Sequence, residues 1–213
     1  MNRGNLHIRL YLGMLLSVLL ASLFFSGLYC FNNKYTQHTT QPISGLLILS
    51  ETDMEQHPSR YLWHDWAYYP NVLLTPADFQ DGSPDRYMTY VNLQSGNRMD
   101  LSGQSDQARF GCGTYLLRIQ VPNTHISYSL DMPEVFSAYR LYINGNPALS
   151  IGNPDPDHYQ DATGSRLVTF FPDENGRITI LIAVSNQSYF YSGMTFPPAF
   201  GTPQALNYTR GIR

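Results

Sequence analysis

The chain has 213 residues, 14% charged and 14% aromatic, with 16 Tyr, 11 Phe, 16 Gly, 14 Pro and a net charge of −3. Such aromatic, sparsely charged composition excludes a disordered polymer, and the balance of residues excludes a coiled coil. The negative charge and the lack of any run of five basic residues exclude a nucleic-acid binder. Tyr, Phe, Thr and Val punctuated by Gly and Pro make an all-β sandwich or barrel the expected class.

Residues 1–9 carry Arg3 and Arg9 and no acid. Residues 10–31 form an uncharged, apolar stretch of 22, long enough to span a bilayer core of ~20 helical residues. An uncleaved transmembrane anchor is the expectation, because the run is long and ends in bulky Leu28, Tyr29 and Phe31. A cleaved signal sequence is the alternative. The positive-inside rule puts residues 1–9 in the cytoplasm as a short stub and everything after residue 31 across the membrane. All 16 acidic residues lie in that outer part. Cys112 is the single cysteine there, so no disulfide can form within it.

Residues 32–44 read as a polar linker, and the folded domain is expected from Gly45 to residue 202, with a juxtamembrane tail over 203–213. Period-2 patterns dominate. Tyr115, Leu117, Ile119 and Val121 share one face of a strand, with Leu116 the exception on the other. Tyr128, Leu130 and Met132 alternate with polar residues, as do Tyr139, Leu141 and Ile143, which Asn144-Gly145 follows as a hairpin signal. Strands over 166–171 and 177–184 flank a turn at Pro172–Gly176. No amphipathic helix is expected after residue 32.

No nucleophile elbow, phosphate loop or His-Glu-x-x-His motif is present, and no enzymatic activity is expected. Asp155, Asp157 and Asp161 sit in a Pro-rich segment that suits Ca²⁺ by ligand type but lacks EF-hand spacing, so an ordinary surface loop and no cofactor are expected. Two aromatic clusters stand out, at 63–70 and 186–198. Trp66 is expected in the core. Trp63, Tyr69, Asn186, Tyr189 and Tyr191 are the candidate ligand contacts, with Arg140 as a bidentate donor on the polar face of its strand. Flat Trp and Tyr faces suit a sugar ring.

Four segments together resemble one family. They are Trp66-Ala-Tyr-Tyr69 with Leu73-Leu74 and Pro76-x-Asp78-Phe79, then Gly111-Cys-Gly-Thr-Tyr115, then Ser137-Ala-Tyr-Arg-Leu-Tyr-Ile-Asn-Gly145, and Asn186 with Gly193, Pro198 and Gly201. The sequence resembles the extracellular jelly-roll sensor domain of bacterial seven-transmembrane receptors with diverse intracellular signalling modules. That family is related to the galactose-binding-like domains of β-galactosidases and β-glucuronidases. The resemblance implies a jelly-roll β-sandwich outside a bacterial cell membrane, a carbohydrate or other small polar ligand, and a membrane signalling partner. Leu116 replaces the family's usual Arg, and Gly193-Met194 stands where Gly-Gly is frequent. No output module lies within these residues; a fragment, a truncated product and a stand-alone anchored domain all remain open. A cell-envelope protein-interaction module without a small ligand is the alternative function.

Overall fold

The computed structural model describes residues 3–32, 39–93, 110–190 and 193–211. The chain divides into two compact units, 1–38 and 39–213. In the first, one helix, α1, runs Arg3–Asn32. Its stretch His7–Tyr29 is long and apolar enough to cross a membrane. At 1.5 Å per residue it spans ~35 Å, against a hydrocarbon core of ~30 Å. From Ile8 to Tyr29 its large apolar side chains are exposed, and no polar face separates from an apolar one. A membrane anchor and a signal sequence both have this character.

The second unit is an all-β jelly-roll sandwich. Its larger sheet contains β1 (Leu46–Ile48), β3 (Trp66–Pro70), β4 (Thr89–Val91), β5 (Gly111–Gln120), β7 (Ala138–Ile143), β8 (Asn146–Ile151) and β10 (Arg177–Asn186). The order is β4-β3-β5-β10-β7-β8, and β1 pairs parallel with residues Arg118–Gln120 of β5. The smaller sheet has the order β2-β11-β6-β9, from β2 (Ser59–Tyr61), β6 (Tyr128–Met132), β9 (Arg166–Phe170) and β11 (Ala199–Gly201). The alternating residues do what their spacing predicts. Tyr115, Leu117, Ile119, Tyr128, Leu130, Met132, Tyr139, Leu141 and Ile143 all face one core between the sheets. The Asn144-Gly145 turn joins β7 and β8 with both residues at positive φ, 50° and 80°.

A second, smaller cluster covers the outer face of the large sheet. Leu116 and Leu181 are cross-strand partners there. With Ala67, Tyr69 and Leu74 they are packed over by Val72, Phe79 and Met88. Leu116 breaks the alternation of β5 because this outer face is itself covered by residues 70–88.

Two short helices correct the expectation of none. Helix α2 (Glu51–Gln56) begins with a capping box in which Ser50 and Asp53 bond reciprocally. Six residues are too few to show an apolar stripe. Helix α3 (Pro203–Gly211) lies in the expected tail and buries only Leu206. It contacts β6 and β11, and Arg210 reaches Asp131 at 3.7 Å. One buried residue in nine leaves no periodicity to read.

The Asp53 carboxyl is held at about 2, first by the Ser50 hydroxyl, then by the Thr40 hydroxyl and the Ser50 N–H. A carboxyl depressed on folding stabilises above its ordinary range, and that contribution fades as the pH falls through the folded value. Asp53→Asn is therefore expected to flatten the loss of melting temperature between the ordinary 3.8 and about 2. An unchanged acid profile would remove this role.

Candidate functional site

The links β6–β7 (133–137) and β8–β9 (152–165) and the described parts of β10–β11 (187–190 and 193–198) leave the strands at one end of the sandwich. Each is pinned by identifiable contacts. Asn186 folds the start of the last link: its Oδ1 accepts the Tyr189 N–H at 3.0 Å, and its Nδ2 donates to the Tyr189 carbonyl at 2.9 Å. Further along, Gly193 N–H donates to Ser137 Oγ at 3.2 Å and Met194 N–H to Tyr115 Oη at 3.3 Å. The β8–β9 link folds back at Gly152, where φ is 64° and a Cβ would collide with the Gln160 carbonyl. The same Cβ would lie 3.1 Å from Ala138, so this link lies against the start of β7.

Three of the sequence candidates meet in this region. Arg140 is exposed on β7 and donates to Asn153 Oδ1 at 2.7 Å. Asn186 is buried as the turn former just described. The Tyr189 ring is half-buried and stands edge-on to Phe136, with centroids 6.3 Å apart. Burial, then the neighbouring Asp161 carboxylate, push its phenol upward. Gln187 Nε2 donates to the Pro156 carbonyl at 3.4 Å and ties the two loops together. Tyr191 lies outside the described residues.

Trp63 and Tyr69 belong instead to the margin formed by β3 and β4. Trp63 is half-buried, edge-on to His64 at 5.0 Å, and its carbonyl accepts the Leu93 N–H. Tyr69 is only 3% exposed, because Phe79 packs edge-on to it at 5.8 Å. Its ring is buried in the outer cluster and presents no open face to a ligand. Tyr69, Thr114, Ala183 and Arg140 form one row across the outer face, so Tyr69 and Arg140 are about 14 Å apart by strand spacing.

The acidic segment is organised as a turn. Asp155 Oδ1 accepts the Asp157 N–H at 3.1 Å, and its Oδ2 lies 3.7 Å from His158 Nδ1. Among the described residues no three His, Cys, Asp or Glu side chains converge to hold a metal ion. Burial raises the Cys112 thiol, the direction opposite to an activated nucleophile.

Sequence reasoning missed three buried hydroxyls. Tyr139 Oη, Tyr159 Oη and Thr195 Oγ1 are shielded from solvent and have no hydrogen-bond partner among the described residues. All three belong to the segments that meet at the start of β7. Burial pushes the Tyr139 phenol up to about 12. An unsatisfied buried hydroxyl costs about 1–3 kcal/mol. Tyr139→Phe, which removes that group at constant shape, is expected to raise the stability of the ligand-free protein by about 1 kcal/mol in urea melts. A loss of more than 1 kcal/mol would show the hydroxyl to be structurally bonded.

Outside this end, the outer face of the large sheet carries a concavity of about 410 Å³. Leu116 and Leu181 form its floor, Phe79 and Tyr142 flank it, and Arg118, Asp173 and Thr179 line it.

Comparison with protein-family models finds no match, and neither does comparison with curated proteins. Among solved structures the chain is similar to a β-galacturonidase from Eisenbergiella tayi bound to galacturonate, with 11% identity and a TM-score of 0.45 over 68% of this chain and 24% of that one. A Faecalibacterium prausnitzii β-glucuronidase gives 15% identity and a TM-score of 0.44 over 68% and 31%. A Bacteroides uniformis β-glucuronidase gives 15% and 0.48 over 67% and 17%. The chain thus spans less than a third of each of these proteins.

Proposed function

We propose that the chain is a membrane-tethered, extracytoplasmic ligand-binding domain, non-catalytic, that takes a carbohydrate or another small polar ligand at the loop-bearing end of the sandwich. The observation that carries this reading is the set of three buried hydroxyls, on Tyr139, Tyr159 and Thr195, that have no partner among the described residues. A folded protein retains such groups when something outside the chain completes their bonds. Hydroxyls from three separate segments suit a ligand with several hydroxyls of its own. The half-buried Tyr189 ring, near Tyr159, is of a kind that suits a sugar's apolar face. The apolar helix α1 supplies the tether, and a membrane signalling partner reads occupancy of the site.

The test is thermal melting of the full chain in detergent against a panel of soluble mono- and oligosaccharides. The reading predicts a saturable upward shift with at least one sugar, lost in Thr195→Val. No shift with any sugar in a broad panel counts against carbohydrate. A shift that Thr195→Val leaves intact places the sugar elsewhere.

A further inference from the structure

The concavity on the outer face of the large sheet has polar groups that the fold does not use. Leu116 and Leu181 pair across β5 and β10, each 3% exposed, and with Phe79 they make an apolar floor and wall. Two residues along the same strands Arg118 pairs with Thr179. Asn144 braces this row: its Oδ1 accepts the Thr179 N–H at 2.8 Å, and its Nδ2 donates to the Phe171 carbonyl at 3.1 Å. The Asn144 amide is therefore spent on the fold.

Arg118 differs. It is exposed, and its guanidinium makes no hydrogen bond or ion pair among the described residues. Asp173 lines the same cavity. Its Oδ1 accepts the N–H groups of Asn175 and Arg177 at 2.9 and 2.7 Å, which fixes the carboxylate in the turn. Its Oδ2 is left without a partner among the described residues. Arg118 and Asp173 are the two charged groups of the lining, and they do not pair with each other. A volume of about 410 Å³ falls in the ~300–1,000 Å³ range of small-molecule sites.

We infer that this cavity is a second binding site, separate from the loop-bearing end, for a free α-amino acid with an apolar side chain. A carboxylate pairs bidentately with Arg118. An ammonium pairs with Asp173 Oδ2. The side chain lies on Leu116 and Leu181 against Phe79. The charge balance selects this class: the lining carries one cation and one anion, so a zwitterion meets both. A simple anion would leave Asp173 opposing it, and a neutral hexose would place hydroxyls on an aliphatic floor.

The test is titration calorimetry of the full chain in detergent with L-leucine and L-phenylalanine. The probes N-acetyl-L-leucine, L-leucinamide and D-glucose serve as comparisons. One-to-one binding of at least one amino acid is expected, weakened tenfold or more when the ammonium is acetylated or the carboxylate amidated. Arg118→Met and Asp173→Asn should each weaken it tenfold or more. Asp173→Asn keeps the acceptor for the turn, and Arg118 is exposed, so both variants should fold. Thr195→Val, at the other site, should leave the affinity within twofold, which separates the two proposals. The inference is overturned if neither amino acid binds, if D-glucose binds and Arg118→Met abolishes it, or if Thr195→Val removes amino-acid binding.

Discussion

Trp66→Ala should cost about 4 kcal/mol and lower the melting temperature by roughly 10 °C, the largest effect of any single substitution considered. The Trp66 ring is fully buried in the main core, and its Nε1–H donates to the Leu62 carbonyl at 2.8 Å. Truncation leaves a cavity the size of an indole and an unpaired carbonyl in the same place. Neither relaxes easily, because the neighbouring Tyr68 and Tyr115 rings are themselves in contact, with centroids 4.8 Å apart. Trp63→Ala, three residues earlier, is the control. Its ring is half-buried on a link, and its structural contact with Leu93 is made by its backbone carbonyl. Its loss should cost less than about 1.5 kcal/mol. Equal costs for the two tryptophans would contradict the placement of Trp66.

Arg60→Met should cost about 2 kcal/mol. Arg60 is 2% exposed, and its guanidinium donates to the carbonyls of Asp53 and His57 at 2.9 and 3.0 Å. It thereby caps the C-terminal end of α2, adding a second donor to the Asp53 carbonyl, which already accepts the His57 N–H, and meeting the His57 carbonyl beyond it. Two effects oppose each other. Burial disfavours the charge and is the main reason its pKa is lowered, with the Asp53 carboxylate partly offsetting it. Removing the side chain recovers that penalty but leaves the His57 carbonyl unmet, at about 1–3 kcal/mol, and takes one of two donors from the Asp53 carbonyl, which still accepts the His57 N–H. The second effect is larger, and α2 should fray: amide exchange at Met54–His57 should rise more than the global loss of stability explains. A neutral or stabilising result would mean that water replaces the guanidinium without cost.

Much of the sandwich was legible because period-2 alternation needs only local sequence. The inward rows of β5, β6 and β7 follow from it, as does the turn at Asn144-Gly145. Leu116 was visible as an exception, but its meaning was not. The segment 70–88 that covers it has no period, and its approach to the sheet is a tertiary event. Tyr69 shows the consequence. Placing it on the face opposite Trp66 was sound, yet that face is buried by Phe79. The register of Leu116 against Leu181, two leucines between the polar pair Arg118–Thr179 and Thr114, was the available signal for the outer concavity.

At the loop-bearing end the residues singled out in the sequence do structural work. Asn186 forms the turn, and Arg140 is held by Asn153. The hydroxyls without a partner among the described residues are those of Tyr139, Tyr159 and Thr195. Tyr139 and Thr195 resemble ordinary core residues in sequence. Only the count of donors against acceptors in three dimensions separates them.

The most direct measurement is the melting temperature of Tyr139→Phe/Tyr159→Phe/Thr195→Val beside the unaltered chain, each with and without the best sugar of the panel. The account predicts a ligand-free variant at least as stable as the unaltered protein and no shift with sugar. Functional sites hold polar groups that the empty fold would be more stable without. A variant that melts lower without ligand, or that still shifts with sugar, would contradict it.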